Sequence, residues 1–384
     1  MPTPIAKYSG KDVYELPSGT AIAESIPFSH KKLTTGPVLN LGDACVYGCT
    51  FCYVEAMSKG KFIKFLGGTY KKVLYAGIGK AFQDVVIRRC GKGSHTIIDV
   101  LKDTLSTKHW TALATQPNEC FTSSTVDPAP NAVLLAETAA AMVYILQNTV
   151  WHIRVLSKSA NLPVLAKAIC DIDPSFKARM MFGVSTGTLD NKLAKVLEKG
   201  TPLVSKRIES LHKLQDNGFR TFGMICPSLP QVNYQKFSDD ICAAIRVDKC
   251  EHVWAEPMNC RGGNFTKTYN ALVAAGFSKE ADMLAAVSGR GKTKKWDDYA
   301  WATFQAHTKN VSPTKLRFLH YPKRQIAKWL PEIPKGAVLL GKDAIAKITG
   351  VPKKTSKGSK KARRSGFAVG AAPASVASGF SPMP

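Results

Sequence analysis

Three cysteines, Cys45, Cys49 and Cys52, crowd into the segment DACVYGCTFCYVE (Asp43–Glu55). The other seven lie singly, at Cys90, Cys120, Cys170, Cys226, Cys242, Cys250 and Cys260. A spacing of three then two intervening residues is too tight for a disulfide framework. Thiolates grouped this closely are metal ligands by type. A closed zinc site takes four ligands, commonly as two separated pairs, and no second close pair is visible here. A distant Cys or His would be needed to complete it. A cubane iron–sulfur cluster held by three thiolates instead leaves one iron open for a small molecule.

Further residues with chemistry lie at intervals down the chain. FTSSTVDP (Phe121–Pro128) carries Ser124, Thr125 and Asp127, polar acceptors suited to an ammonium, or an ordinary Asp-Pro turn. Lys158 in VLSKS is placed to meet a carboxylate, or to face solvent from a loop. Arg207 offers a guanidinium fork that suits a carboxylate bidentately, or a helix-surface pair with Glu198 or Glu209. Asn259 and Arg261 in EPMNCRGGN follow a predicted strand.

An alternation of elements must position these residues. PVLNLGDA is predicted to be a strand, with the three cysteines in the loop at its carboxyl end. Glu55 to about Thr107 is basic and mostly helical in pattern. Strands are then predicted at HWTALATQ, WHIRVLSKS, ARMMFGVSTG, FRTFGMICPSLP and CEHVWAEPMN. Between them fall helices of 10 to 15 residues, one of them closed by Gly218. Strands alternating with helices imply βαβ units and a parallel sheet. Six strand signals from Val38 to Met258 predict an α/β partial barrel, with function at the carboxyl ends of its strands. The predicted organisation is an irregular lead-in over 1–36, the partial barrel over 37–261, a mixed extension over 262–350 and a disordered basic tail over 351–384.

The chain has 384 residues, 45% of them hydrophobic, and a formal net charge of +25. Seven basic residues and no acid lie from Val351 onward, which leaves a net charge of +18 on residues 1–350. Such an excess favours polyanionic partners, nucleic acid first, through phosphate contacts. No apolar run is long enough for a membrane span, and the N-terminus has no signal-peptide core. The expectation is a cytoplasmic protein whose isolated cysteines are buried thiols.

CVYGCTFC, with an aromatic before its last cysteine, resembles the signature of radical S-adenosylmethionine (SAM) enzymes. The resemblance narrows to the spore photoproduct lyase and DNA repair photolyase branch, over roughly Asn40 to Pro230. It is carried by CTFCY, FTSSTVDP, VLSKS and GVSTGTLDNKLAKVLEKGTPLVSKRIESLHKLQDNGF. It implies a 4Fe–4S cluster on Cys45, Cys49 and Cys52, with SAM on its open iron. It further implies SAM contacts from Ser124, Thr125, Asp127, Lys158, Ser185 (ribose) and Arg207 (carboxylate), with Tyr53 matching the tyrosine after the last cysteine. An electron donor such as flavodoxin or ferredoxin, a nucleic-acid substrate and a monomeric state are implied as well. Two positions depart from the branch. Its hydrogen-donating cysteine corresponds to Ser124, whose O–H bond is too strong for that role, and Cys120 is the nearest thiol in sequence. Its tyrosine before the last cysteine is Phe51 here. Action on a peptide or small metabolite is the alternative, as is a non-catalytic, metal-stapled nucleic-acid-binding protein.

Overall fold

The computed structural model describes residues 6–8, 11–16, 22–23, 33–34, 36–45, 47–54, 85–89, 97–122, 124–259, 263–288, 293–319 and 330–340. The predicted tail, 351–384, lies outside the described residues. Among the described residues the first elements are β1 (Ala6–Tyr8), β2 (Lys11–Leu16), β3 (Ile22–Ala23), β4 (Val38–Leu39), β5 (Gly42–Ala44) and β6 (Val85–Arg89). Helices α1 (Ile97–Leu105) and α2 (Lys108–Ala114) lead to β7 (Glu119–Thr122). Alternation follows through α3 (Ala132–Asn148), β8 (His152–Ser157), α4 (Leu162–Cys170), β9 (Met180–Thr186), α5 (Asn191–Leu197), α6 (Val204–Asp216), β10 (Arg220–Ser228), α7 (Tyr234–Ala244) and β11 (His252–Pro257). Then come α8 (Asn264–Ala274), α9 (Ser278–Val287), α10 (Thr293–Asn310), β12 (Leu316–Leu319) and β13 (Val338–Leu340).

The six strands from β4 to β11 in the main sheet run parallel in chain order, as predicted. The sheet does not close. β12 and β13, from within residues 262–350, extend it in parallel, and β3 pairs antiparallel with β4 at the other edge. Parallel strands deliver all their carboxyl ends to one rim, so the residues just after each strand are brought together. Side chains at Asn131, Asp190 and Asn233 accept hydrogen bonds from the first-turn amides of α3, α5 and α7, which starts each helix at a defined point. Gly218, at φ +68, ends α6 as expected.

The sheet's alternation separates two cores. Ile153, Val155, Phe182, Val184, Ile225, Val253 and Ala255 face the helices and pack with Met142, Leu165, Ile169, Leu211 and Leu214. Each such aliphatic or phenyl side chain contributes about 1.5–3 kcal/mol by leaving water. Met181, Phe222, Met224, Trp254 and Leu319 form the inner core. Arg154 lies among these rings, its guanidinium 5.2 Å from the Phe121 centroid, 5.6 Å from Phe222 and 5.0 Å from Trp254. Glu119, 3.1 Å away, balances its charge.

Three local readings are corrected. HWTALATQ is not a strand: Lys108–Ala114 is helix α2, and the strand is Glu119–Thr122. Trp110, Leu113 and Ala114 turn inward at helical spacing, with Trp110 edge-on to Trp151 at 6.1 Å. The lead-in is not wholly irregular. β1 and β2 pair antiparallel, and β2 pairs in parallel with β6 in a second sheet of order β1-β2-β6-β5. That makes Val85–Arg89 a strand within a stretch read as mostly helical. A pairing between segments some seventy residues apart leaves no local signal.

Candidate active site

The cysteine loop begins where β5 ends. Gly48, at φ +59, turns the chain between Cys45 and Cys49 in a conformation that a side chain would oppose. The loop is tied from two sides. Thr50 N donates to Leu197 O, at the last residue of α5, at 2.8 Å, and Gly200 N, just past that helix, donates to Tyr47 O at 3.0 Å. On α8, Thr268 Oγ1 lies 3.1 Å from Thr50 Oγ1, and the Asn264 side chain donates to Phe51 O at 3.1 Å. The C-terminal extension thus helps hold the three thiols.

Cys45, Cys49 and Cys52 line one cavity of about 200 Å³ at the carboxyl rim of the sheet, together with Tyr53, Ser124, Thr125, Asp127, Lys158 and Ser185. These nine sequence-predicted residues therefore meet at one site. Burial, then the Asp127 carboxylate, pushes the Cys45 thiol up to about 12. Burial and nearby Glu198 raise Cys49 as well. Such thiols give up their protons when a cationic metal centre binds. Among the described residues, no three His, Cys, Asp or Glu side chains stand close enough to hold a single metal ion. Three thiols around a cavity wider than one ion fit a cluster that uses three thiolates and keeps one position for another ligand.

The wall opposite is a set of linked strand ends. Asn40 Oδ1, after β4, accepts from Ser124 N at 2.8 Å, Ser124 Oγ at 3.1 Å and Thr125 N at 3.1 Å. Tyr53 Oη donates to Ser124 O at 2.8 Å. Burial first, then the neighbouring acidic groups led by Cys52 and Glu256, raises Tyr53, so its phenol stays protonated. The Asp127 carboxylate accepts from Ser157 Oγ at 2.8 and 2.9 Å, Lys158 N at 2.8 Å and Ala129 N at 3.1 Å. Burial outweighs these bonds and raises its pKa.

Lys158 Nζ donates to Ser185 Oγ at 3.0 Å, Glu198 Oε1 at 2.5 Å and Cys226 O at 3.3 Å, and lies 5.3 Å from the Phe51 ring centroid. Arg207 is fully buried rather than on a helix surface. Its guanidinium donates to Glu198 Oε2 at 2.5 Å, Ser185 O at 2.9 Å and Pro202 O at 3.2 Å. Glu198 thus joins both cations. Arg207 stands behind the cavity wall, and Lys158 and Ser185 stand on it. Cys120 lies on β7 with its side chain in the helix-facing core, fully buried, and burial pushes its thiol up to about 12.

Four residues of the site did not stand out in sequence. Glu198 registered only as a partner for Arg207, and Asn40 only as the start of the resemblance. Cys226 and Glu256 line the cavity from β10 and β11, with Cys226 Sγ 3.2 Å from Glu256 Oε2. Strand alternation was the signal for Cys226, which is in phase with Phe222 and Met224. Asn259 also lines the cavity, whereas Arg261 lies outside the described residues. A larger cavity of about 340 Å³ between α5, α7 and α9 shares Phe51, Glu198 and Pro227 with this one but has no cysteine in its wall.

No protein-family model matches the chain. The uncharacterized protein ORF301 of Acidianus two-tailed virus is 25% identical over 210 residues, which is 52% of this chain and 58% of that protein's length. Solved structures match over more of the chain. A cysteine-to-alanine mutant of spore photoproduct lyase with dinucleoside spore photoproduct superposes with TM-score 0.52 at 11% identity, over 86% of this chain and 81% of that one. A double mutant with bound AdoMet and the same dinucleoside gives TM-score 0.52 at 11% identity, over 85% and 80%. Spore photoproduct lyase complexed with dinucleoside spore photoproduct gives 0.52 at 12% identity, over 86% and 82%. Over most of its length the chain therefore has the fold of spore photoproduct lyase.

Proposed function

We propose that the chain is a radical SAM enzyme acting on nucleic acid, as a DNA repair lyase or a base-modifying enzyme. The observation that carries this reading is the meeting of Cys45, Cys49 and Cys52 with Lys158 and Ser185 around one rim cavity. When bound, a 4Fe–4S cluster and SAM supply a 5′-deoxyadenosyl radical that abstracts a hydrogen atom from substrate.

The chain's own residues hold and orient. Cys45, Cys49 and Cys52 ligate the cluster. Ser124 and Thr125, fixed through Asn40, and Asp127, fixed through Ser157, present oxygens to the SAM ammonium. Lys158 offers its ammonium to the SAM carboxylate, and Ser185 offers its hydroxyl to the ribose. Arg207 adds positive charge from behind the wall and keeps Glu198 and the Ser185 carbonyl in place. Met224 lines the cavity and packs with Met181, Phe222 and Trp254 of the inner core, which fixes its apolar side.

Nucleic acid as substrate is supported by the net charge of +25 and by the dinucleoside held by the structural neighbours. Anaerobic reconstitution with iron and sulfide, then addition of SAM and dithionite, tests the reading. The expected product is 5′-deoxyadenosine, absent in Cys45→Ala, Cys49→Ala and Cys52→Ala. Ultraviolet-irradiated DNA is the first substrate to assay, with lesion loss followed by mass spectrometry. A colourless protein that takes up stoichiometric zinc and leaves SAM intact overturns it.

A further inference from the structure

The cavity wall contains one thiol, among the described residues, besides the three of the cluster loop. We propose that Cys226 is a catalytic residue, the hydrogen-atom donor that quenches a carbon-centred radical formed in this cavity. The proposal rests on the radical SAM reading above and assigns a role within the same site.

Sheet parity selects this cysteine. On β10, Phe222, Met224 and Cys226 share the inner face, and Ile225 faces the helices. On β7, Cys120 takes the helix-facing side, so its sulfur is separated from the cavity by the sheet itself. Ser124, which does line the cavity, offers only a strong O–H bond. A thiol S–H bond is weak enough to quench an alkyl radical.

Cys226 is also registered to the cofactor-facing wall. Its carbonyl oxygen accepts from Lys158 Nζ at 3.3 Å and from Ser185 Oγ at 3.2 Å. Its Sγ donates to Glu256 Oε2 at 3.2 Å. Burial, then the Glu256 charge, keeps the group well above the usual thiol range, so it stands as S–H rather than thiolate.

The S–H bond breaks homolytically, and the hydrogen atom forms a C–H bond at the substrate radical. Cys226 is left as a thiyl radical. One electron from a low-potential one-electron donor and one proton from solvent, relayed by the Glu256 carboxyl group, restore the thiol.

Two measurements need no identified substrate. The first uses the reconstituted protein without reductant, treated with methyl methanethiosulfonate and mapped by mass spectrometry. Cys226, protonated but open to the cavity, is labelled slowly through its small thiolate fraction and Cys120 is not, and SAM at about ten times its Kd slows labelling of Cys226 about tenfold. The second is SAM cleavage by dithionite in D2O, with no added thiol or substrate. The wild type yields 5′-deoxyadenosine carrying one solvent deuterium, because the Cys226 thiol exchanges with solvent. Cys226→Ala and Cys226→Ser still cleave SAM but lose most of that deuterium, and Tyr53→Phe keeps it. Equal deuterium in wild type and both Cys226 variants overturns the proposal, as does its loss in Tyr53→Phe alone or labelling that SAM does not slow. Absence of 5′-deoxyadenosine from the wild type instead overturns the radical SAM reading itself.

Discussion

Glu198 decides how the charges of the site are arranged. It is almost fully buried and accepts from both Lys158 and Arg207, each at 2.5 Å. Arg207 is fully buried, so its guanidinium has no access to water if that carboxylate is lost. Breaking such a buried pair by removing one partner costs about 3–5 kcal/mol. Glu198→Gln is therefore expected to lower the unfolding free energy by an amount of that order, read as a lower urea midpoint at unchanged slope. It also frees Lys158 from its carboxylate, so the same variant should bind SAM with an altered pH and salt dependence, read by equilibrium dialysis. A Glu198→Gln protein as stable as wild type would mean that Arg207 finds its counter-charge elsewhere.

At the scale of elements, the site depends on how closely β9 and β10 approach beyond their last paired residues. A Cβ on Gly187 would lie 1.8 Å from the carbonyl oxygen of Pro227, next to Cys226. Overpacking of this kind costs about 1–3 kcal/mol. Gly187→Ala should lose stability in that range and weaken SAM binding, because Pro227 and Cys226 must move together. A thermal melt and a SAM titration check both effects. The pairing of α7 with α10 makes a second prediction. His307 Nδ1 stands 2.9 Å from Ser238 Oγ, and burial pushes the imidazole down to about 4 from 6.5. The folded chain holds the ring neutral, so an unfolded chain takes up a proton that the folded one refuses. Stability from this group is complete above pH 6.5 and falls as pH drops toward 4, by about 3 kcal/mol in all. Urea unfolding near neutral pH and near pH 4.5 should show that loss in wild type, and His307→Gln should show a smaller difference between the two.

The whole molecule carries its charge as a field. Seven of the basic residues lie from Val351 onward, in a segment outside the described residues. The body alone keeps a net charge of +18. Deleting residues 351–384 should weaken non-specific DNA binding and flatten its salt dependence, since each phosphate contact contributes about −0.9 to the log–log slope. SAM cleavage should be unchanged, and its loss would show that the segment belongs to the catalytic body. Among the described residues, no helix is long and apolar enough to cross a membrane, as the hydropathy predicted.

The cysteine spacing, the βα alternation and the polar residues after each strand were legible along the chain because each depends on near neighbours. They predicted six parallel strands and brought nine residues to one rim cavity. Trp110, Leu113 and Ala114 show where local reading fails: a short run of mixed propensity takes its helical form from what lies beneath it. β2 and β6 show the same for pairing across distance. Two decisions belonged to the tertiary structure alone. Arg207, which the resemblance sets against the SAM carboxylate, lies fully buried against Glu198 behind the cavity wall. The parity of β7 and β10, fixed by packing on two faces, put Cys120 in one core and Cys226 in the cavity. The sequence determined which reactive side chains the chain offers, because chemistry follows residue type. Which thiol meets that chemistry was decided by the face each strand presents, and a face exists only once the sheet is assembled.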